Sequence, residues 1–200
     1  MLLISDDGMV HDERVLKSRL IGLEKQSLDA VRGIIVHQTN TGSAILTLAK
    51  WSLPDQNGAH FLIAKDGTIY QTASLKMQTW HVGVLGARCL VELRCTSPAH
   101  IDEFIGRDQL WVHRCESTKS VPQRYPSNVD SIGIELAGAS HKVKGTDEAK
   151  YEPVTEKQNA SLSWLIHNLV VTLKVPTTEI FRHPVVSPRK SPSEAETAQW

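Results

Sequence analysis

Three segments of this 200-residue chain bring a side chain that can bind a metal or move a proton to the end of an apolar run. They are His37 after "GIIV", Glu135 after "SIGI" and His183 in "EIFRHP". Each alone reads equally well as a buried residue with a satisfied hydrogen bond. Together, each where a strand meets a loop, they point to a site along one edge of a sheet. Two neutral imidazoles and one further ligand, with a fourth position open, make the usual catalytic zinc site. A carboxylate close by that is not a ligand can take the proton of the attacking water, which the metal makes nucleophilic near neutral pH.

The elements that must position these groups follow from periodicity and turn chemistry. "RGIIVH" and "SIGIELAG" read as buried strands. "SAILTLAKW" reads as a helix with Ala44, Ile45, Leu48 and Trp51 on one face and Thr41 or Ser43 as N-cap. "AHFLIAKDGTIYQT" predicts a hairpin turning at Lys65-Asp66-Gly67. "VTEKQNASLSWLIHNLVVTL" predicts a helix opened by a capping box, Thr155 with Gln158, with Leu162, Leu165, Ile166, Leu169, Val170 and Leu173 as its apolar stripe. Residues 1–30 read as a lead-in with one weakly amphipathic helix over Val15–Leu28. The stretch of about 85–127 reads as an insertion crossing one face, helical over His100–Trp111. Strands and helices mixed in this way give an α/β layer fold with one central sheet.

Composition excludes several classes. Lys+Arg and Asp+Glu balance at 22 each, and a nucleic-acid binder carries a basic excess. No window approaches eighteen apolar residues, so no membrane span is expected. The acidic start "MLLISDDGMVHDER" does not read as a signal peptide. Cys89, Cys95 and Cys115 cannot all pair and show no zinc spacing, so free thiols in a reducing compartment are expected. Nine histidines leave room for a metal site.

The blocks "IIVHQTNT", "GAHFLIAKDGTIYQ", "WHVG", "YPSNVDSIGIEL", "TEKQNASLSWLI" and "RHPVVSPRKSPSEA" together resemble the N-acetylmuramoyl-L-alanine amidases of the type-2 amidase and peptidoglycan-recognition-protein superfamily. The resemblance runs from about Gly33 to Trp200, apart from the insertion. It implies a central mixed β-sheet flanked by helices in one domain, residues 31–200, after the 1–30 lead-in. It also implies Zn2+ at the floor of a groove that holds peptidoglycan or muropeptides, and cleavage between N-acetylmuramic acid and L-alanine. His37 and His183 resemble two zinc ligands, Glu135 the catalytic carboxylate, and Lys190 the cation that meets the developing oxyanion. Trp80, His81 and Asn128 fall on blocks that contact substrate, and His60 takes a supporting or groove role.

Two departures bear on activity. Phage-type and animal-type relatives place a tyrosine where this chain has Ala59. The family's third zinc ligand, an Asp or Cys before Pro-Gly, aligns with Ser191-Pro192-Ser193, and serine there accompanies a metal-free, binding-only role. Glu194 is the candidate replacement, since carboxylate suits zinc; its other reading is an acid in the first turn of a helix. Ser191 or water remain as alternatives, and a peptidoglycan-binding module without catalysis is the competing function. Delivery divides in the same way. One reading is a cytoplasmic enzyme that recycles wall fragments. The other is a toxin or endolysin carried to the wall, the "HPVVSPRKSPSEA" ending resembling secretion-system effectors that are paired with an immunity protein.

Overall fold

A computed structural model describes residues 1–146 and 148–200, the side chain of His100 excepted. In chain order these residues form β1 (Leu3–Ile4), β2 (Val10–His11), β3 (Val15–Lys17), β4 (Gly33–Gln38), α1 (Ala44–Trp51), β5 (Phe61–Ile63) and β6 (Ile69–Gln71). The short helices α2 (Arg88–Val91), α3 (Pro98–Phe104) and α4 (Gln109–Ser117) follow, then β7 (Ser131–Leu136), β8 (Ser140–Lys142), β9 (Ala149–Tyr151), α5 (Glu156–Leu173), β10 (Ile180–Arg182) and α6 (His183–Val186). No helix among the described residues is long and apolar enough to cross a membrane.

The centre is a six-stranded mixed sheet in the order β10-β4-β7-β5-β6-β3. Strands β10, β4, β7 and β5 run parallel, β5 and β6 form the antiparallel hairpin, and β3 lies parallel to β6. Asp66-Gly67 turns that hairpin as the sequence predicts, with Gly67 at φ +88. Because strand side chains alternate, one face carries Ile34, Val36, Phe61, Ile63, Ile132, Ile134 and Leu136, all fully buried. This face meets Leu162, Leu165, Ile166 and Leu169 of α5. Each such side chain contributes roughly 1.5–3 kcal/mol when taken out of water. The capping box forms: Thr155 Oγ1 accepts from the Gln158 amide, and the Gln158 side chain accepts from the Thr155 amide. The opposite face, with Ile35, His37, Leu62, Gly133 and Glu135, is left for the site.

Three expectations are corrected. The lead-in forms β3 and a 3-10 turn over Ile21–Leu23 instead of a helix, because the edge of β6 captures it. Its amides at Ser18 and Leu20 donate to the carbonyls of Gln71 and Thr72. On α1 the inward stripe is Ala44, Thr47, Leu48 and Trp51, capped by Ser43, while Ile45 is 74% exposed. The cysteines are not all free: Cys89 and Cys95 form a disulfide and Cys115 remains a thiol. The chain reverses at Leu93, φ +52, with the Arg94 amide donating to the Cys89 carbonyl, and this brings Cys95 back beside Cys89. The helical expectation for the insertion holds in two pieces, α3 and α4, separated by Gly106 at φ +71.

Candidate metal and catalytic site

Strand register assembles the site. Parallel pairing of β4 with β7 sets Glu135 directly beside His37 and Gly133 beside Ile35. Pairing of β10 with β4 sets Arg182 beside Val36, so His183, the next residue, emerges level with His37. Pro184 cannot continue a ladder and instead opens α6, which aims the His183 ring across the sheet end. The C-terminal turn then brings Glu194 in. Its position is held from β4, where the Gln38 side-chain carbonyl accepts from the Ala195 amide at 3.1 Å.

Hydrogen-bond partners decide where the ring protons sit. His183 Nε2 lies 2.7 Å from the Val82 carbonyl, which only accepts, so Nε2 carries a hydrogen and Nδ1 is the nitrogen that faces Glu194. The Ser131 hydroxyl donates to the Ser127 carbonyl, so it accepts from His81 Nε2 at 3.3 Å. His81 Nδ1 is therefore an acceptor, and His37 Nε2 donates to it at 2.9 Å. That leaves His37 Nδ1 with a lone pair.

Both Nδ1 atoms converge on a carboxylate. His37 Nδ1 and His183 Nδ1 are 2.8 Å apart, and Glu194 Oε1 is 2.9 Å from the second and 3.7 Å from the first. All three residues are buried. Burial first, and His183 second, depress the His37 pKa to about 3, so the ring is neutral. Burial opposes the Glu194 charge, but the two imidazoles outweigh it and hold this carboxyl well below the usual range. Three buried ligand atoms crowd one point, an arrangement that a cation placed between them would satisfy. Zinc bonded at ~2.0–2.2 Å to N and O ligands gives tetrahedral edges of ~3.4 Å, within the span of the observed separations. The donor set fits a zinc ion with shifts of a few tenths of an ångström.

Glu135 stands next to this cluster with its Oε2 buried and without a hydrogen-bond partner. Burial, then the Glu194 carboxylate, push its pKa up to about 8, with Lys190 acting in the other direction. A cation in the cluster would bring it down into the range where it accepts a proton at neutral pH. His37, Glu135, His183, Lys190 and Glu194 line one groove of about 680 Å³, together with Trp80, Asn128, Thr47, Lys50 and Tyr151. None of the described groove residues comes from the 85–127 insertion, which is anchored on the β10 side by the buried Arg88–Glu179 ion pair.

The remaining expected residues divide. Trp80 is 53% exposed at the groove, under the Lys25 ammonium. Asn128 borders the groove and its Oδ1 accepts from the amides of His81 and Val82, which fixes the loop carrying His81. Both His81 nitrogens are engaged, so its ring orients His37 and offers no free polar atom to a ligand. His60 lies outside the groove. It is fully buried, with Nε2 donating to the Met77 carbonyl and Nδ1 accepting from the Gly133 amide. Its place is a strut under β7. Ser191 is turned away, its hydroxyl donating to the Ala149 carbonyl. Sequence reasoning missed Gly133, on whose bare Cα the His81 ring packs, and Tyr151, whose short strand carries no motif.

The profile of the N-acetylmuramoyl-L-alanine amidase family matches residues 27–194, and the chain belongs to that family. It is accordingly a peptidoglycan amidase, an N-acetylmuramoyl-L-alanine amidase by class. Among solved structures, the catalytic domain of XlyA is 18% identical over 89% of each chain, with a TM-score of 0.54. An AmpD derivative is 18% identical over 96% of this chain and 94% of its own, with a TM-score of 0.52. The amidase AmiD from E. coli, in complex with anhydro-N-acetylmuramic acid-L-Ala-D-gamma-Glu-L-Lys, is 16% identical, with a TM-score of 0.53. That match covers 94% of this chain and 59% of AmiD. At these identities the likeness speaks for the fold: a mixed sheet flanked by helices. A search of curated proteins finds no match.

Proposed function

We propose that the chain is a zinc-dependent amidase that cleaves the bond between N-acetylmuramic acid and the L-alanine of the stem peptide. His37, His183 and Glu194 hold the metal. The observation that carries this reading is the convergence of three buried side chains able to ligate a metal, His37, His183 and Glu194, at one end of the sheet. Bound zinc would polarise the attacking water and the scissile carbonyl. Glu135 takes the proton of the water and hands it to the departing amine. Lys190 supplies positive charge for the oxygen that gains it. Trp80 and Asn128 wall the groove for the sugar and peptide, and His81 keeps His37 in its ligating tautomer. AmiD, bound to a muramyl peptide, supports peptidoglycan as the ligand. We read residues 31–200 as the amidase domain with its insertion at about 85–127, and residues 1–30 as a lead-in whose β3 completes the sheet.

The binding-only alternative rests on Ser191 and Ala59; what speaks against it is that Glu194, and not Ser191, faces the two imidazoles. Digestion of sacculi and of soluble muropeptides tests the reading. Protein carrying about one zinc per chain is expected to release free stem peptide, to lose this activity with a chelator, and to lose it in Glu135→Gln. Purified protein that stays zinc-free after metal addition and releases no peptide would sink it.

We further propose that the enzyme acts on the wall side of the membrane, where the Cys89–Cys95 disulfide is at home. Delivery as an antibacterial effector with an immunity protein is proposed on the likeness of its C-terminal block alone. Growth arrest on targeting to the periplasm, and none on cytoplasmic expression, is the expected result.

A further inference from the structure

Strand β9 has two edges. One pairs with β8, in the register Ser140 to Tyr151 and Lys142 to Ala149. The other would normally present the Ala149 carbonyl and the Tyr151 amide to a further strand. Here two serines of the C-terminal turn take both groups. The hydroxyls of Ser191 and Ser193 donate to the Ala149 carbonyl, and the Tyr151 amide donates to Ser193 Oγ at 3.2 Å. This clasp ties the segment that carries Lys190 and Glu194 to the strand that carries Tyr151.

The consequence is that a phenol forms part of the groove wall. Tyr151 is half-buried and lines the same groove as Glu135, His183, Lys190 and Glu194. No described residue takes up its hydroxyl. Burial first, then the carboxylates of Glu194 and Glu135, push its pKa up to about 12, so the group remains an O–H donor across the neutral range. A tyrosine there with no protein partner for its hydroxyl is a donor available to whatever fills the groove.

Building on the amidase reading, we propose that Tyr151 is a further catalytic residue, its hydroxyl donating a hydrogen bond to the carbonyl oxygen of the scissile amide as negative charge gathers there. The phenol keeps its proton throughout; proton transfer stays with Glu135. The Ser191–Ser193 clasp is the positioning device that brings the hydroxyl to the groove.

Tyr151→Phe removes the donor and keeps the ring. On a soluble muropeptide, kcat is expected to fall about 100-fold with KM within about threefold, in line with the loss of one oxyanion donor. Zinc content and the two limbs of the pH profile stay as in the parent enzyme. In the inactive Glu135→Gln background, calorimetry is expected to show muropeptide affinity changed less than about threefold by Tyr151→Phe, since the bond strengthens only with the developing charge. Ser193→Ala is expected to lower kcat about tenfold alone and to add nothing in the Tyr151→Phe background. A Tyr151→Phe enzyme within twofold of the parent kcat overturns the proposal. So does a defect confined to KM, or one that tracks lost zinc. A parent enzyme that releases no stem peptide fails the amidase reading itself, whereas an active parent with an equally active Tyr151→Phe fails only this inference.

Discussion

Gly133→Ala probes how the candidate ligand His37 is oriented. An added Cβ at Gly133 would meet the His81 ring at 2.7 Å to Nδ1, 2.8 Å to Cγ and 3.0 Å to Cε1. Ordinary contact begins near 3.4 Å, so the ring must retreat by about 0.7 Å or β7 must shift. The strand is hydrogen-bonded to neighbours on both sides, β4 and β5, so the ring is the part that yields. Retreat of that size lengthens the His37 Nε2 to His81 Nδ1 bond from 2.9 Å to as much as about 3.6 Å, the edge of hydrogen-bond range. His37 is then free to exchange its tautomer, and its Nδ1 is no longer reserved for the metal. Loss of such an outer partner typically costs ~10–100-fold in metal affinity, and the same range is expected here. Overpacking should also cost about 1–3 kcal/mol of stability, so affinity is measured on folded protein by zinc competition with a chromogenic chelator. His81→Ala gives the control: with the ring gone, Gly133→Ala should cause no further loss of affinity. Zinc affinity within twofold of the parent in Gly133→Ala, or losses that add in the double variant, would refute the reasoning.

Three other outcomes follow from the same geometry. Glu194→Ala should lower zinc affinity by more than about 100-fold and Ser191→Ala by less than about tenfold, because only the first side chain faces the two imidazoles; competition titration in the reverse order would return the third ligand to Ser191. Burial lowers the His60 pKa from 6.5 to about 4, so stability present above pH ~6.5 is lost as pH falls toward 4, by about 3 kcal/mol over the whole window. Urea unfolding of metal-free His60→Gln should therefore fall less steeply with acidification than the parent, and parallel curves would contradict the assignment. Arg88 is buried against Glu179 in a two-bond pair at 2.7 and 3.0 Å, so Arg88→Met should cost about 3–5 kcal/mol by leaving Glu179 without its cation. Arg88→Met/Glu179→Leu should recover most of that in the same urea assay, and no recovery would mean that the loss came from packing.

The strands bearing His37 and Glu135 were legible because a short apolar, β-branched run bounded by turn residues has few other uses. Helix α5 was legible for a similar reason: its capping box and stripe agree over eighteen residues. What the linear pattern does not carry is register. That Glu135 lies beside His37, and that His183 arrives level with both, depends on pairings between segments roughly 100 to 150 residues apart. The role of His81 was hidden for the same reason, since it turns on a serine hydroxyl already committed to another carbonyl. The lead-in failed as a helix because the hydrogen bonds offered by β6 outweigh a weak amphipathic preference. The disulfide was missed because an odd number of cysteines was read for its remainder, without regard to the turn that brings two of them together.

The departure at Ser191 shows why one aligned position is a poor proxy for a donor. The segment Ser191 to Glu194 closes a turn, with the Glu194 amide donating to the Ser191 carbonyl at 3.0 Å. Ala195 then sits at φ +54 and gives its amide to Gln38. The Glu194 carboxylate faces the two imidazoles, and the Ser191 and Ser193 hydroxyls bind the edge of β9. A reversal tight enough to present Glu194 needs its outer side secured, and the hydroxyls on Ala149 and Tyr151 secure it. The turn that presents Glu194 and the clasp on β9 are therefore two parts of a single arrangement.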